Sequence, residues 1–322
     1  MSIGLTDAVD VLRAAGEPSR LRIVALLARE ELAVMELCQI MDQSQPRVSR
    51  HLRLLTASGL VERFPDGGWV FYRLAAAAAR RAILDRVLSV VDAHDPFLAR
   101  DRDRLAAVRT GRSAAAEAYF ARNAPRWDQL RSLHVSEADV EEAVIAAAPK
   151  GGIGRLIDLG TGSGRMLTLL APRAETAVGL DLSQQMLNIA RLRVAEAGLG
   201  HVQLRHGDIF ATGLPAGSAD LVVVHQVLHY LGDPAAAVAE AGRLVAPGGR
   251  LLIVDFAPHA LESLREAHQH RRLGFPDDEM TRWLTGSGLN RPKITTLSGK
   301  EDLAAKNGEG LTVKIWAADR KA

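Results

Sequence analysis

The sequence predicts two domains of different class: a mostly helical N-terminal domain closed by a β-hairpin, and a C-terminal α/β domain on a seven-stranded, mostly parallel sheet. Three observations carry this. Apolar residues recur at helical spacing from Leu5 to about Leu74, and strand and helix patterns alternate after Gly151-Gly152. The 322 residues, 48% hydrophobic and 24% charged, also supply enough apolar surface for one large and one smaller core.

The elements follow in order. Ala8, Leu12 and Ala15 form a first apolar stripe, Leu21, Val24, Ala25 and Leu27 a second, Val34, Leu37 and Ile40 a third, and Val48, Leu52 and Leu55 a fourth. Leu60 to Phe64, a turn at Pro65-Asp66-Gly67-Gly68, and Trp69 to Leu74 then read as a two-stranded hairpin. Short helices closed by such a hairpin are the layout of a winged helix-turn-helix. Ala75 to Val91 is alanine-rich, with Ile83, Leu84, Val87, Leu88 and Val91 on one stripe, and predicts one further helix ended by Asp95-Pro96. Phe97 to Leu133 reads as a helical connector interrupted at Thr110-Gly111 and Ala124-Pro125. The boundaries expected are 1–92 for the helical domain, 93–117 for the connector and 118–322 for the α/β domain.

In the α/β domain, strands are expected at Arg155 to Leu159, Ala177 to Leu180, Val202 to His206, Leu221 to Val224, Arg250 to Phe256, Lys293 to Leu297 and Leu311 to Ala317. Helices are expected at Met166 to Leu170 and Gln184 to Ala197. Alternation of this kind makes a Rossmann-like sheet with helices on both faces.

Formal net charge is only +2, so any affinity for nucleic acid must come from a local patch. Such a patch exists. No acidic residue lies between Asp42 and Glu62, while Arg47, Arg50, His51 and Arg53 fall within one helix. Ser44 suits the N-cap, and Pro46 in the first turn lacks an N–H that would have no partner there. With Val48, Leu52 and Leu55 turned inward, Gln45, Arg47, Ser49, Arg50 and Arg53 face out, residue types that hydrogen-bond base edges or phosphates. The candidate DNA-binding set is Ser44, Gln45, Arg47, Ser49, Arg50, His51 and Arg53.

Arg20-Leu21-Arg22-Ile23-Val24-Ala25-Leu26-Leu27, this helix, and Gly59-Leu60-Val61 closely resemble the ArsR/SmtB family of winged-helix repressors over roughly residues 5 to 92. The resemblance implies a homodimer on double-stranded operator DNA, paired through helices at about Leu5 to Ala15 and Ala78 to Val91. The metal sites of that family do not carry over. Where its third-helix site has thiols, this chain has Glu31-Leu32-Ala33-Val34-Met35. The single cysteine, Cys38, lies off that pattern and reads as a small buried hydrophobe. Asp92 and His94 lack the second ligand pair that a zinc site would need.

Arg155 to Gly164 is a strand running into Gly160-Thr161-Gly162-Ser163-Gly164. A dinucleotide fingerprint has glycine at its first, third and sixth positions, and the sixth here is Arg165. Gly-x-Gly-x-Gly with Asp158 two residues upstream instead resembles motif I of class I S-adenosylmethionine-dependent methyltransferases. Gly179-Leu180-Asp181-Leu182-Ser183, Gly207-Asp208-Ile209, Ala219 to His229 and Leu244 to Arg250 extend the resemblance across about Ala118 to Ala318. It implies S-adenosylmethionine or S-adenosylhomocysteine as ligand, with Asp181 accepting the ribose hydroxyls, Asp208 the adenine amino group, and Ile209 packed on the ring. The ligand-contacting candidates are Asp158, Gly160, Thr161, Gly162, Ser163, Gly164, Asp181, Leu182, Met186, Asp208, Ile209 and His225. Tyr119, Phe120 and Trp127 are expected to cover the ligand. His225, His229, His259, His268 and His270 are candidate bases among which the sequence does not choose.

No run of about 18 uncharged apolar residues occurs and no basic region leads into an apolar run near Met1, so neither a membrane span nor a signal peptide is expected, and the cytoplasm is. Two functions fit: a transcriptional regulator that senses the adenosyl ligand, or a small-molecule methyltransferase with its own DNA-binding regulator attached. DNA methylation does not, because His225-Gln226-Val227-Leu228 stands where a flipped-base motif would.

Overall fold

The computed structural model describes residues 3–66, 69–75, 78–92, 94–123, 136–298 and 311–321. The chain divides into two compact units, Met1–Ala114 and Ala115–Ala322. No described helix is long and apolar enough to cross a membrane.

In the first unit α1 (Leu5–Ala15), α2 (Pro18–Leu27), α3 (Val34–Met41) and α4 (Gln45–Ala57) enclose a core that includes Val11, Ile23, Leu27, Leu37, Ile40, Val48, Leu52 and Leu55. Local chemistry sets their ends. Glu17 caps α2, its carboxylate accepting the Arg20 N–H at 2.9 Å, and Pro18 fills the first turn. α3 stops at Asp42, whose φ of 56° and ψ of 49° swing the chain out of the helix toward α4.

The wing is wider than the sequence predicts. β2 (Val61–Asp66) and β3 (Trp69–Leu74) form the expected hairpin, and β1 (Leu32–Ala33) adds to it, with Leu32 opposite Tyr72 and Ala33 opposite Phe71. A two-residue strand is too short to show a period, so only its burial marks it.

α5 (Ala78–Val90) packs against α1, and α6 (Pro96–Asn123) follows. The break expected at Thr110-Gly111 does not occur, since α6 runs through it. One glycine costs a helix only about 1 kcal/mol against alanine. Leu105 enters the N-terminal core, and Asp101, 2% exposed, accepts two hydrogen bonds from the Arg22 guanidinium, each 2.6 Å. Arg104 donates to the Ile40 carbonyl and to Asp42, both at 3.2 Å. The compact unit therefore extends past the boundary expected at residue 92, and the front of the connector is part of it.

In the second unit the end of α6 is followed, among the described residues, by α7 (Glu137–Ala147), β4 (Ile153–Leu159), α8 (Arg165–Leu170), β5 (Ala174–Asp181), α9 (Gln184–Glu196), β6 (Val202–His206) and β7 (Ala219–His225). Then come α10 (Pro234–Leu244), β8 (Val245–Phe256), α11 (Ser263–His268), α12 (Asp277–Gly286), β9 (Lys293–Ser298) and β10 (Thr312–Asp319). Among the described residues the sheet has seven strands in the order β6-β5-β4-β7-β8-β10-β9. Strands β4 to β8 pair in parallel, and β10 is antiparallel to both neighbours.

Alternation along the strands builds a core on each face. Leu221, Val223, Leu252 and Val254 pack on one side, and Val222, Val224, Leu251 and Ile253 on the other. The turn expected before the fifth strand lies within β8: Ala219 pairs with Val245 and Leu221 with Arg250, so the residues between bulge out. Because β4 lies between β5 and β7, the winding of the sheet reverses there. In open α/β sheets ligands bind outside the carboxyl ends of strands at such a reversal.

Candidate functional sites

In the N-terminal unit, α4 buries Val48, Leu52 and Leu55 completely and leaves Gln45, Arg47, Arg50 and Arg53 exposed, with Ser49 half-buried. The side chains of Arg47, Arg50 and Arg53 have no ion-pair partner among the described residues. Three guanidiniums on one helix face with no internal partner carry a local positive field.

Two residues of the expected set behave differently. Ser44 holds the N-cap position, but its hydroxyl makes no capping hydrogen bond. His51 does not face outward with the arginines. Its Nδ1 lies 3.4 Å from Glu17 Oε2, with the side chain only 13% exposed. Burial holds the imidazole below its usual range, Glu17 opposes this, and Arg20, Arg47 and Arg50 add to it. Glu17 itself is held below the usual carboxylate range: burial raises it, and the backbone amides of Arg20 and Ser19, with His51, outweigh that. The wing supplies a cation that the sequence reading left out. Arg63 stands exposed on β2, whereas Arg73 is tied to Glu31 and Glu62 and lies 4.8 Å from the Phe64 ring. Only the pairing of β2 with β3 places Arg63 on a wing surface. Cys38 packs against the core, and burial pushes its thiol up.

In the C-terminal unit, the glycine loop leaves β4 and turns with φ of 70°, 52° and 80° at Gly160, Gly162 and Gly164. Gly160 has no room for a side chain either, since a Cβ there would come within 2.4 Å of Val227 Cγ2. The loop amides are directed inward. Gly160 and Thr161 donate to the Leu180 carbonyl at 2.8 and 3.0 Å, Gly162 to Asp181 Oδ2 at 2.7 Å, and Gly164 to the Thr161 carbonyl at 2.8 Å. A phosphate-binding loop turns such amides toward its anion. These amides are committed to the protein itself.

The carboxylates complete the edge. Asp158, 1% exposed, accepts the Thr161 hydroxyl at 2.6 Å. Asp181, at the end of β5, accepts Gly162 and Ser183 amides at 2.7 and 2.8 Å, one on each oxygen. Its surroundings push its pKa up by desolvation, against the pull of those backbone amides and of His206. Each oxygen retains a second lone pair, which is what a vicinal diol requires. Ser163 receives Arg193 at 2.9 Å, and Ser183 caps α9 by accepting the Met186 amide at 3.3 Å. Leu182 is 48% exposed and Met186 2%.

Gly207 donates to the Asp181 carbonyl at 3.0 Å, which brings the next loop alongside. There Asp208 is exposed, with Oδ1 accepting the Phe210 amide at 3.0 Å, and Ile209 is buried. His225, 8% exposed, ends β7. Hydrogen bonds thus tie the glycine loop to Asp158 and Asp181, Gly207 brings Asp208 and Ile209 alongside, and His225 ends the strand beside β4. Tyr119 and Phe120 belong to the backbone of α6, but their side chains, like Trp127, lie outside the described residues.

Comparison with known proteins finds a known domain family in each unit. A family model described as a bacterial regulatory protein of the arsR family matches residues 17–63, and one described as a methyltransferase domain matches residues 157–253. A ubiquinone biosynthesis O-methyltransferase of Thiobacillus denitrificans is 30% identical over 204 residues, which are 58% of this chain and 87% of that protein. A demethylmenaquinone methyltransferase of Thermus thermophilus is 35% identical over 147 residues, 43% of this chain and 64% of that protein. Among solved structures, the complex between the Haloferax volcanii Trm112 methyltransferase activator and a candidate methyltransferase matches with a TM-score of 0.51 and 19% identity, over 62% of this chain and 97% of that one. That last likeness is one of fold alone.

Proposed function

The chain belongs to the methyltransferase family and joins that domain to a DNA-binding domain of the arsR regulatory family, and from this premise we propose that it is a transcriptional regulator. In this reading it binds operator DNA as a homodimer through α4 and the wing, and its methyltransferase domain binds S-adenosylmethionine or S-adenosylhomocysteine as the effector. The inward-turned amides of the glycine loop carry the ligand assignment. A loop whose Gly160, Thr161, Gly162 and Gly164 amides are bonded within the protein suits a nucleoside that has no pyrophosphate, and Asp181 beside it offers a carboxylate to the ribose diol. The exposed Leu5, Leu12 and Val90, at 83%, 51% and 81%, support pairing of two copies through α1 and α5.

In this reading α6 is the segment through which ligand and DNA would be coupled. The front of α6 is fastened to the turn between α3 and α4 through Arg104 and Asp42, and the same helix continues past Ala114 into the second unit's sequence. A displacement of α6 would therefore move the turn that sets α4.

A second reading, an active small-molecule methyltransferase under the control of its own DNA-binding domain, is favoured by the relatives. Two of them are named for quinone-biosynthetic methylation. Calorimetric titration with each adenosyl compound, together with selection of duplexes from a random pool, tests the primary reading. It expects saturable binding of the nucleoside and enrichment of a palindromic site; absence of either contradicts it.

A further inference from the structure

Among the histidines of the second unit, one is arranged for proton transfer. His229 lies in a short 3-10 turn, Leu228–Tyr230, just after β7, and Asp255 sits beside the last residue of β8, so both occupy the sheet edge that carries the glycine loop. Their side chains are 2% and 0% exposed, and His229 Nδ1 lies 2.7 Å from Asp255 Oδ1. A carboxylate only accepts, so Nδ1 carries the proton and Nε2 presents its lone pair. Nε2 has no hydrogen-bond partner among the described residues.

The turn is pinned beside the loop. Gln226, at a φ of 52°, donates its amide to the Val254 carbonyl at 2.7 Å, and Val227 fills the space over Gly160. The left-handed backbone at a non-glycine residue marks stored strain, which persists at working sites.

A purely structural histidine pair does not account for the second oxygen. Asp255 Oδ2 is buried with no hydrogen-bond partner among the described residues. Leaving a carboxylate oxygen so costs on the order of 1–3 kcal/mol, which folding alone gives no reason to retain.

The packing around His229 is aromatic. Ring centroids of Tyr230, His270 and Phe256 lie 4.1, 4.2 and 5.1 Å from that of His229. A flat ring meeting the partly exposed Tyr230 would extend this cluster.

We propose that His229 is the general base of a methyl transfer to a hydroxyl on an aromatic ring, with Asp255 as the positioning residue that fixes its tautomer. The proposal rests on the adenosyl-ligand reading. In the step, the acceptor oxygen attacks the sulfonium methyl of S-adenosylmethionine and the C–O bond forms as the C–S bond breaks. The bond's electron pair stays on sulfur, giving S-adenosylhomocysteine, and the hydroxyl proton passes to His229 Nε2 and then to solvent. The titratable groups facing the base are Asp255 from β8, Tyr230 from its own turn and His270 from the segment after α11. Beyond them stand His268, 6.4 Å from His270, and His259, 6.0 Å from Phe256, both ring to ring.

The test supplies the full chain with methyl-labelled S-adenosylmethionine and two probe acceptors, catechol and 4-hydroxybenzoate, across pH. Label should reach an acceptor, with kcat falling toward acid pH as Nε2 takes up a proton. His229→Gln should lower kcat by about 100-fold or more while leaving S-adenosylhomocysteine affinity within about two-fold. Asp255→Asn should cost less, because an amide oxygen can still hold Nδ1–H, and should shift the pH profile. Retained wild-type rate in His229→Gln, or cofactor bound without label on either acceptor, overturns the assignment. Should His229→Gln fail to fold, the wild-type profile decides: a fall toward acid pH supports the base and a flat profile overturns it. A wild-type chain that binds neither adenosyl compound sinks the ligand reading and the base with it, whereas binding without transfer sinks the base alone.

Discussion

Helix α4 and the glycine loop are both polar sites set on rigid elements, and they are built in opposite ways. On α4 the guanidiniums of Arg47, Arg50 and Arg53 are exposed and unpaired among the described residues, while in the loop the amides of Gly160, Thr161, Gly162 and Gly164 are bonded within the protein. In the proposed reading the difference follows from the partners. A phosphate backbone is bound through charge by counterion release, so side chains may stay mobile and hydrated. A nucleoside without phosphates must be held by shape and a few placed acceptors, which requires a loop already fixed before the ligand arrives.

Removing the acceptor at the loop should have the largest effect. Asp181→Ala deletes the group that holds both Gly162 and Ser183 amides, and hydrogen bonds to a charged group contribute about 1.5–3 kcal/mol each. Adenosyl affinity measured by calorimetry should fall by roughly 100-fold or more, with operator affinity unchanged. Equal loss at both sites would erase the distinction between them.

Next comes the loop backbone. Gly160→Ala places a Cβ against Val227 in a left-handed conformation, which should lower stability in chemical denaturation by about 1–3 kcal/mol and weaken ligand binding. A variant as stable as wild type would show that the loop is not fixed.

The cations of α4 should each matter comparably or less. Arg50→Ala and Arg53→Ala should each reduce operator affinity by about 1–3 kcal/mol if the side chain reads a base, or flatten the salt dependence by about one unit of slope if it meets a phosphate. Ligand affinity should not move. Salt titrations of the two variants distinguish these cases, and retained affinity would remove α4 as the reading element.

The smallest effect lies away from both sites. Arg243 holds Glu240 down to about 2, first through its hydrogen bonds, with Thr212 adding to it against desolvation. A depressed carboxylate contributes stability present above its ordinary value near 4.5 and lost as pH falls toward 2. Screening leaves this on the order of 1 kcal/mol. Glu240→Gln should remove that acid-side slope from the denaturation midpoint and leave both binding functions intact.

What the sequence disclosed depended on the range of the interaction. Glycine spacing, the Val48-Leu52-Leu55 stripe and the strand alternation are local patterns, and both folds followed from them. Contacts between distant residues left no such trace. Asp101 meets Arg22 across 79 positions, which is why the front of α6 read as a linker and not as part of the first core. His51 fell within the basic helix, and only the packing of α2 against α4 shows it turned to Glu17. Five histidines stood as equal candidates until Asp255, 26 residues from His229, distinguished one.

The central claim is that the adenosyl ligand is reported to the DNA-binding domain, and measuring operator affinity with and without saturating S-adenosylmethionine or S-adenosylhomocysteine tests it most directly. The account predicts a shift of about 5- to 150-fold for at least one of them, matched by an equal shift in ligand affinity when operator is bound. Operator affinity that is the same with either ligand, in a protein shown to bind both, would contradict it.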